Sequence, residues 1–478
     1  MPTNSLRSSI DLLSLISFTD WVVFFSILGL TLAFVVYGNK RDSKKSTESD
    51  ANALDYLLMS RTLTLPLFVA TLVATWYGGI FGVTQIAFEN GIYNFLTQGV
   101  FWYLTYLIFA FFLVKEARKF NVGTLPELVG RMFGRRSRFL AGIFNFFNVV
   151  PIAYVISLGI FLQSLFGLSL ISGMFFGVCF VLLYSASGGL RSVVFSDLLQ
   201  FVVMCSSVAI VAIVSVYSFG GIDFLRSHLP ASHFDPTGGM GWGTTLVWGL
   251  IALSTLVDPN FYNRVFAADS ERTAKIGILV STGIWILFDI STTAGAMYAR
   301  ALLPGADSGQ AYLIYAVQIM PDGLRGFFLA GILATVFSTI DSYLFIAGTT
   351  LSHDMLPGRF RDRKWVMVFS TVGVGLLAVI MASIFDGKVR LVWKALGSYS
   401  AACLLFPVLW GYIFPNRIRD NQFVAICLLG VVTTSYWKLV EHSGFWANVD
   451  EIYIGSATTF FGMLFAVGIN SWSAKCQS

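Results

Sequence analysis

The sequence predicts an all-α integral membrane protein with about 13 transmembrane helices, each long enough to cross a hydrocarbon core. Three observations carry this. Hydrophobic residues make up 56% of the 478 residues and charged ones only 12%, with a mean hydropathy of +0.74; soluble domains carry roughly 25% charge. Apolar runs of about 20 residues recur along the chain. Lysine and arginine fall between them in an alternating pattern.

In chain order the spans are predicted over Phe18 to Gly38, Pro66 to Phe88, Phe95 to Val114, Phe139 to Phe166, Ser169 to Ala186, Val193 to Ser218 and Thr244 to Ala267. The others cover Ile276 to Ala299, Gly326 to Leu351, Trp365 to Ile384, Leu391 to Phe414, Phe423 to Leu439 and Ile452 to Ile469. With the N-terminus outside, one side collects Lys40, Arg41, Lys44, Lys45, Arg61, Arg118, Lys119, Arg131, Arg135, Arg136, Arg138, Arg359, Arg361, Arg363 and Lys364. Roughly 23 of the 31 Lys and Arg lie there, the asymmetry that marks a cytoplasmic face. The net charge of +5 therefore reports topology, with a cytoplasmic C-terminus, and not a nucleic-acid partner.

The first span reads as a retained helix, because one Arg and one Asp precede it and no small-residue cleavage site follows. Cys179, Cys205, Cys403 and Cys427 fall inside spans, and no CxxC spacing occurs, so neither a disulfide nor a Cys-based metal site is expected. The polar stretches Asn39 to Leu63, Lys115 to Arg138 and Phe219 to Gly243 are too short for an attached soluble domain. Between Ala301 and Gly323, apolar residues at helical spacing flanked by Pro304 and Pro321 predict a short interfacial helix.

The second span is unusual, since Trp76-Tyr77-Gly78-Gly79-Ile80-Phe81-Gly82 puts three glycines into a membrane helix. Glycine weakens a helix by about 1 kcal/mol against alanine. Two readings stay open: close packing through small residues, or a broken helix whose freed carbonyls bind a cation.

Carboxylates at membrane depth are costly, which makes Asp197, Asp258, Asp289 and Asp341 functional candidates. Thr335, Ser338, Asp341 and Ser342 share a helix face by the 3.6-residue period. Such an oxygen cluster suits a hard cation such as sodium, although membrane hydroxyls also bond the carbonyl four residues back. Asp197 follows Arg191 by about two helical turns and is read as an ion ligand or a local ion pair. Asp289 has no motif around it and is expected to find a partner on another span. No intramembrane His or Cys cluster speaks for an enzyme; His228, His233 and His442 fall in loops, and His353 is placed just past a span.

Four segments together resemble the sodium:solute symporter family. Asp55-Tyr56-Leu57-Leu58-Met59-Ser60-Arg61 is similar to its DYFLAGR element, and Gly188 through Gln200 to its GGLxAVxxTDxxQ element. Asp258 through Ser270 resembles DQxxVQRxLAAxS, and Gly331 through Ser342 resembles AAxxAxxxSTxDS. The resemblance runs from about Asp55 to Phe414.

It implies a LeuT-like core of two inverted five-helix repeats, residues 66–218 and 244–414, preceded by an extra helix and cytoplasmic loop in 1–65 and followed by two helices and a tail in 415–478. Each repeat would open with a helix broken at mid-membrane, at Gly78-Gly79 and at Asp258-Pro259. The first sodium site is implied at the hydroxyls of Ser338 and Thr339 with the carbonyls of Leu72, Thr75 and Thr335. A second site is implied at Asp197, Ser338, Asp341 and Ser342. Some proline-type members carry an Asp just before the unwound stretch, where this chain has Ala74.

The solute is expected against Trp76, Tyr77, Gly79, Gln98, Tyr154 and Asp258. Ala74 through Gly79 is similar to the ATWxGG of a choline-transporting branch, where an aromatic face holds a quaternary ammonium; the stretch Asn145 to Ile160 offers no Trp to complete such a cage. The implied activity is sodium-coupled import of a small organic solute, with proton coupling and a cationic amine solute as alternatives. A monomer in a bacterial cytoplasmic membrane is the expected setting.

Overall fold

The computed structural model describes residues 11–42, 56–185, 189–357, 360 and 363–476. Lys44, Lys45, Asp55, Gly188, Arg359 and Arg361 of the sequence reading lie outside the described residues. The helices in chain order are α1 Phe18–Asp42, α2 Leu65–Ala74, α3 Ile80–Asn90, α4 Phe95–Lys119, α5 Leu125–Met132, α6 Arg135–Val149 and α7 Ile152–Phe166. They continue as α8 Leu170–Ser185, α9 Gly189–Phe219, α10 Ile222–His228, α11 Gly241–Leu253, α12 Pro259–Ala267, α13 Glu271–Leu302 and α14 Ala311–Ile319. The last five are α15 Leu324–Met355, α16 Lys364–Ile384, α17 Val389–Ile413, α18 Asp420–Leu439 and α19 Glu451–Cys476.

Ten helical segments among the described residues are long and apolar enough to cross a membrane. The other three predicted spans take different forms. α8 is a short apolar helix of 16 residues, and two spans are broken. The second divides into α2 and α3; the seventh divides into α11, a 3-10 turn over Ser254–Val257, and α12. The fourth bends at Val150-Pro151, where proline removes a ladder hydrogen bond.

The most hydrophobic 18-residue stretch of α15 is completely enclosed, so this helix is the axis of the fold. α1 and α18 are mostly exposed, and their apolar outer faces belong to the bilayer. α1 is nonetheless anchored: fully buried Asp20 accepts the Gly323 and Gly326 N–H groups at 2.7 and 2.9 Å, satisfying the first turn of α15. α14 forms where a short interfacial helix was expected, but its residues are nearly all buried. It is therefore part of the packed core.

At one end the two broken spans are tied together. Leu63 and Ala268 form a parallel bridge, with Leu63 N–H on the Ala267 carbonyl at 3.0 Å and Asp269 N–H on the Leu63 carbonyl at 3.1 Å. Arg118 donates to the Val265 and Ala268 carbonyls at 2.6 and 3.0 Å, closing the C-terminus of α12. At the end of α15 the helix runs on through a π turn, so His353 lies inside its last turn and not beyond the span. There its ring meets Glu127 of α5 at 3.0 Å, while Arg138 pairs with Glu127 and Asp354 at 3.3 and 3.1 Å. Burial alone would raise the Glu127 carboxyl, but His353, the Gly123 N–H and Arg138 together hold it down at about 2.

Candidate functional site

α2 stops at Ala74, and the chain runs irregularly until α3 begins at Ile80. A helix C-terminus leaves its last carbonyls without N–H partners and carries the negative end of the dipole. Here those carbonyls abut α15. Ser338 Oγ donates to the Ala74 carbonyl at 2.8 Å, and Thr339 Oγ1 lies 3.3 Å from the same oxygen. Both hydroxyls also approach the Thr335 carbonyl, at 3.2 and 3.1 Å. Gly78 N–H donates to Thr339 Oγ1 at 2.8 Å.

That approach needs glycine, since a Cβ on Gly78 would stand 2.5 Å from Thr339 Cβ. At this one place the helix is broken and also packed closely on its neighbour. Ser338, Thr339 and Thr335 come together as the resemblance implied. Ala74, not among the implied donors, supplies the carbonyl that meets both hydroxyls. Leu72 is fully buried in α2, and the Thr75 hydroxyl bonds the Thr71 carbonyl at 2.6 Å and Ser342 Oγ at 2.9 Å.

Beside this cluster sits a cation that the sequence reading did not single out. Arg264 of α12 is fully buried. Its Nη2 donates to Ser342 Oγ, Thr75 Oγ1 and Thr71 Oγ1 at 2.6, 2.9 and 3.3 Å. Thr71 Oγ1 in turn donates to Asp197 Oδ2 at 2.6 Å, so one hydroxyl joins guanidinium to carboxylate. Asp197 turns to Thr71 and not to Arg191. Asp341, next to Ser342 but rotated about 100° around α15, has no hydrogen bond to either carboxyl oxygen among the described residues.

The second break shapes a cavity. Asp258 caps α12, its Oδ1 accepting the Asn260 and Phe261 N–H groups at 2.8 and 3.2 Å, and Pro259 takes the first helical position, where its missing N–H costs nothing. Trp76, Tyr77, Gly79, Gln98, Tyr154 and Asp258, all six expected solute contacts, line one cavity of about 130 Å³, which restricts the solute to a small molecule. Trp102 of α4, Asn148 of α6, Trp248 of α11, Thr255, Tyr343 of α15 and Trp393 of α17 also line it. Among the described residues, no Lys, Arg or His lines it. Gly79 faces the Trp393 ring so closely that any side chain there would overlap it. Tyr154 meets Tyr343 edge to face at 4.7 Å.

Asp289 finds its partner on another span, as expected. The Tyr103 hydroxyl of α4 donates to its Oδ2, behind Tyr77, whose ring packs on Phe288 at 4.0 Å.

The family model described as "Sodium:solute symporter family" matches residues 56–416, a range that contains both breaks, the Ser338 helix and the cavity. The chain belongs to the sodium:solute symporter family. Its coupling ion is accordingly sodium, and it is a membrane transporter, not an enzyme. A sodium/proline symporter of Haemophilus influenzae is 22% identical, with 93% of this chain and 92% of that protein covered. A sodium/pantothenate symporter of Escherichia coli is 21% identical over 89% of this chain and 93% of its own length. The structure of a Na+-coupled sialic acid symporter in a substrate-bound outward-open state superposes with a TM-score of 0.75, at 18% identity and covering 95% of this chain and 98% of that one. That likeness establishes the LeuT-like fold.

Proposed function

We propose that this symporter imports a small amine-bearing solute, cationic or zwitterionic, with sodium bound between the break after Ala74 and the Ser338 and Thr339 hydroxyls. The observation that carries the ion site is the meeting of both hydroxyls with the Ala74 carbonyl at a helix C-terminus. Sodium there ties α2 to α15, favours the outward-open form and steadies Trp76 to Gly79 for the solute; closure and inward opening then release both. The drive is the sodium gradient plus about 2.3 kcal/mol per charge at 100 mV.

The solute chemistry follows from the cavity wall. Among the described residues it offers one carboxylate, Asp258, and the rings of Trp76, Trp102, Trp248 and Trp393, with no basic side chain to balance an anionic solute. Aromatic faces and a carboxylate attract ammonium groups. In this reading the repeats are residues 66–218 and 244–414, the N-terminus faces outward, the C-terminus faces the cytoplasm, and a monomer works in a bacterial cytoplasmic membrane. Tryptophan fluorescence tests the solute class directly. Choline, proline and pantothenate are titrated into purified protein with sodium or potassium, and the amines are expected to shift the emission only in sodium. Pantothenate binding in preference to both amines overturns the solute class.

A further inference from the structure

At the end where the two broken spans are tied together, arginines surround a second cavity that shares no residue with the solute site. Its volume is about 600 Å³, and Arg61, Arg131, Arg135, Arg138 and His353 line it against one carboxylate, Glu127, among the described residues. Arg138 and the His353 ring meet Glu127, and Arg138 also meets Asp354, so those charges are matched. Arg61 donates only to neutral oxygens, the Asn121 side chain and, at 3.2 Å, the Val122 carbonyl. Arg131 in the last turn of α5 and Arg135 at the start of α6 are exposed, and their side chains have no ion-pair or hydrogen-bond partner among the described residues. Asp420, beside the start of α6, is occupied in capping it, accepting the Arg136 and Ser137 N–H groups at 3.1 and 2.7 Å. Three guanidinium charges thus face one cavity without a counter-charge.

Local structure does not favour this arrangement. Arg135 holds the first position of α6, where a cation opposes the helix dipole. Met59, Ser60 and Arg61 run at φ of 48°, 52° and 58°, and Asn121, the partner of Arg61, at 50°, a left-handed backbone that side chains disfavour. Strain of this kind collects at ligand clamps, and guanidinium groups hold phosphate through paired N–H donors. Phe139, one turn beyond Arg135, is 51% exposed on the lipid side of α6, which sets the cavity mouth at headgroup level. We propose that this cavity binds a phosphate group, carried by an anionic phospholipid or by a soluble phosphate ester, between Arg61 before α2 and Arg131 and Arg135 of α5 and α6. The Leu57 carbonyl in the same wall accepts Asn263 of α12 at 3.1 Å, and Arg61 stands two residues before the Leu63–Ala268 bridge. A phosphate there clamps the ends of both broken spans to α5 and α6.

Native mass spectrometry of the purified full-length protein tests the site, with phosphatidylglycerol, phosphatidylcholine and glycerol 3-phosphate as probes. The wild type is expected to bind one phosphatidylglycerol in preference to phosphatidylcholine, and R131Q/R135Q to bind it roughly 30-fold more weakly, at about fivefold per charge. K119Q removes a charge at the same end that is already paired with Glu116, and should bind like the wild type. Thermal unfolding checks that the double variant, which breaks no side-chain contact, is folded. Displacement of the lipid by glycerol 3-phosphate, with the same loss in R131Q/R135Q, supports the site and makes a soluble ester its ligand; lipid binding that the ester does not displace supports it and makes the headgroup the ligand. Binding of neither phosphate, equal binding by the wild type and R131Q/R135Q, or an equal loss in K119Q overturns the proposal and leaves the arginines as a solvated basic face.

Discussion

Replacing Ser338 by alanine removes one oxygen from the junction between the broken helix and α15 and deletes the 2.8 Å hydrogen bond to the Ala74 carbonyl. The hydroxyl of Thr339, at 3.3 Å, is the remaining side-chain donor to that carbonyl. Leaving a buried polar group poorly satisfied costs about 1–3 kcal/mol. If that whole cost falls on the sodium-bound state, sodium affinity drops about 5- to 150-fold. Initial solute uptake by reconstituted S338A, measured against external sodium, should therefore show a half-saturating sodium concentration raised by that factor. The maximal rate at saturating sodium should fall less. Unchanged sodium activation in S338A, with the protein folded, would refute the assignment and favour proton coupling.

Three further outcomes follow from the same geometry. G78A places a methyl group against Thr339 and should abolish sodium-dependent uptake while the protein still purifies folded and monodisperse, checked by size exclusion and thermal unfolding. Asn caps helices about as well as Asp, so D258N should keep its thermal stability and raise the KM for an amine solute, whereas D258A should also lose about 1 kcal/mol of stability. E127Q should be less stable than the wild type by on the order of 2 kcal/mol at neutral pH, after allowing for solvent screening. Because the folded Glu127 titrates below its ordinary 4.5, its contribution is fully present above about pH 4.5 and disappears as the pH falls toward 2. Thermal unfolding of both proteins at pH 7, 4.5 and 3 should show the gap closing only at the acid end.

Much of the fold could be read from the sequence because lipid leaves few options and apolar length is a strong signal. The first break was open to a reading from the glycines of Trp76 to Gly82, whereas the second, at Asp258-Pro259, was implied by the resemblance. Ser338 was singled out by the helical period and Thr339 by the resemblance alone, and both meet the end of α2. Trp248 and Trp393 could not, because each belongs to a separate span and enters the cavity only through tertiary packing. Tyr343 was accessible in principle, one turn beyond Thr339 on the same face. Arg264 lay within a recognised element, but its place among Thr71, Thr75 and Ser342 depends on α12 folding back against α2 and α15.

Uptake into proteoliposomes under an inward sodium gradient, compared with an equal potassium gradient, tests the central claim most directly. A radiolabelled panel of proline, choline, pantothenate, pyruvate, sialic acid and a hexose serves as the probe. The predicted result is sodium-dependent accumulation of an amine-bearing member above its equilibrium level, saturable and lost in S338A. Equal uptake in sodium and potassium, or accumulation driven by a proton gradient alone, would contradict the account.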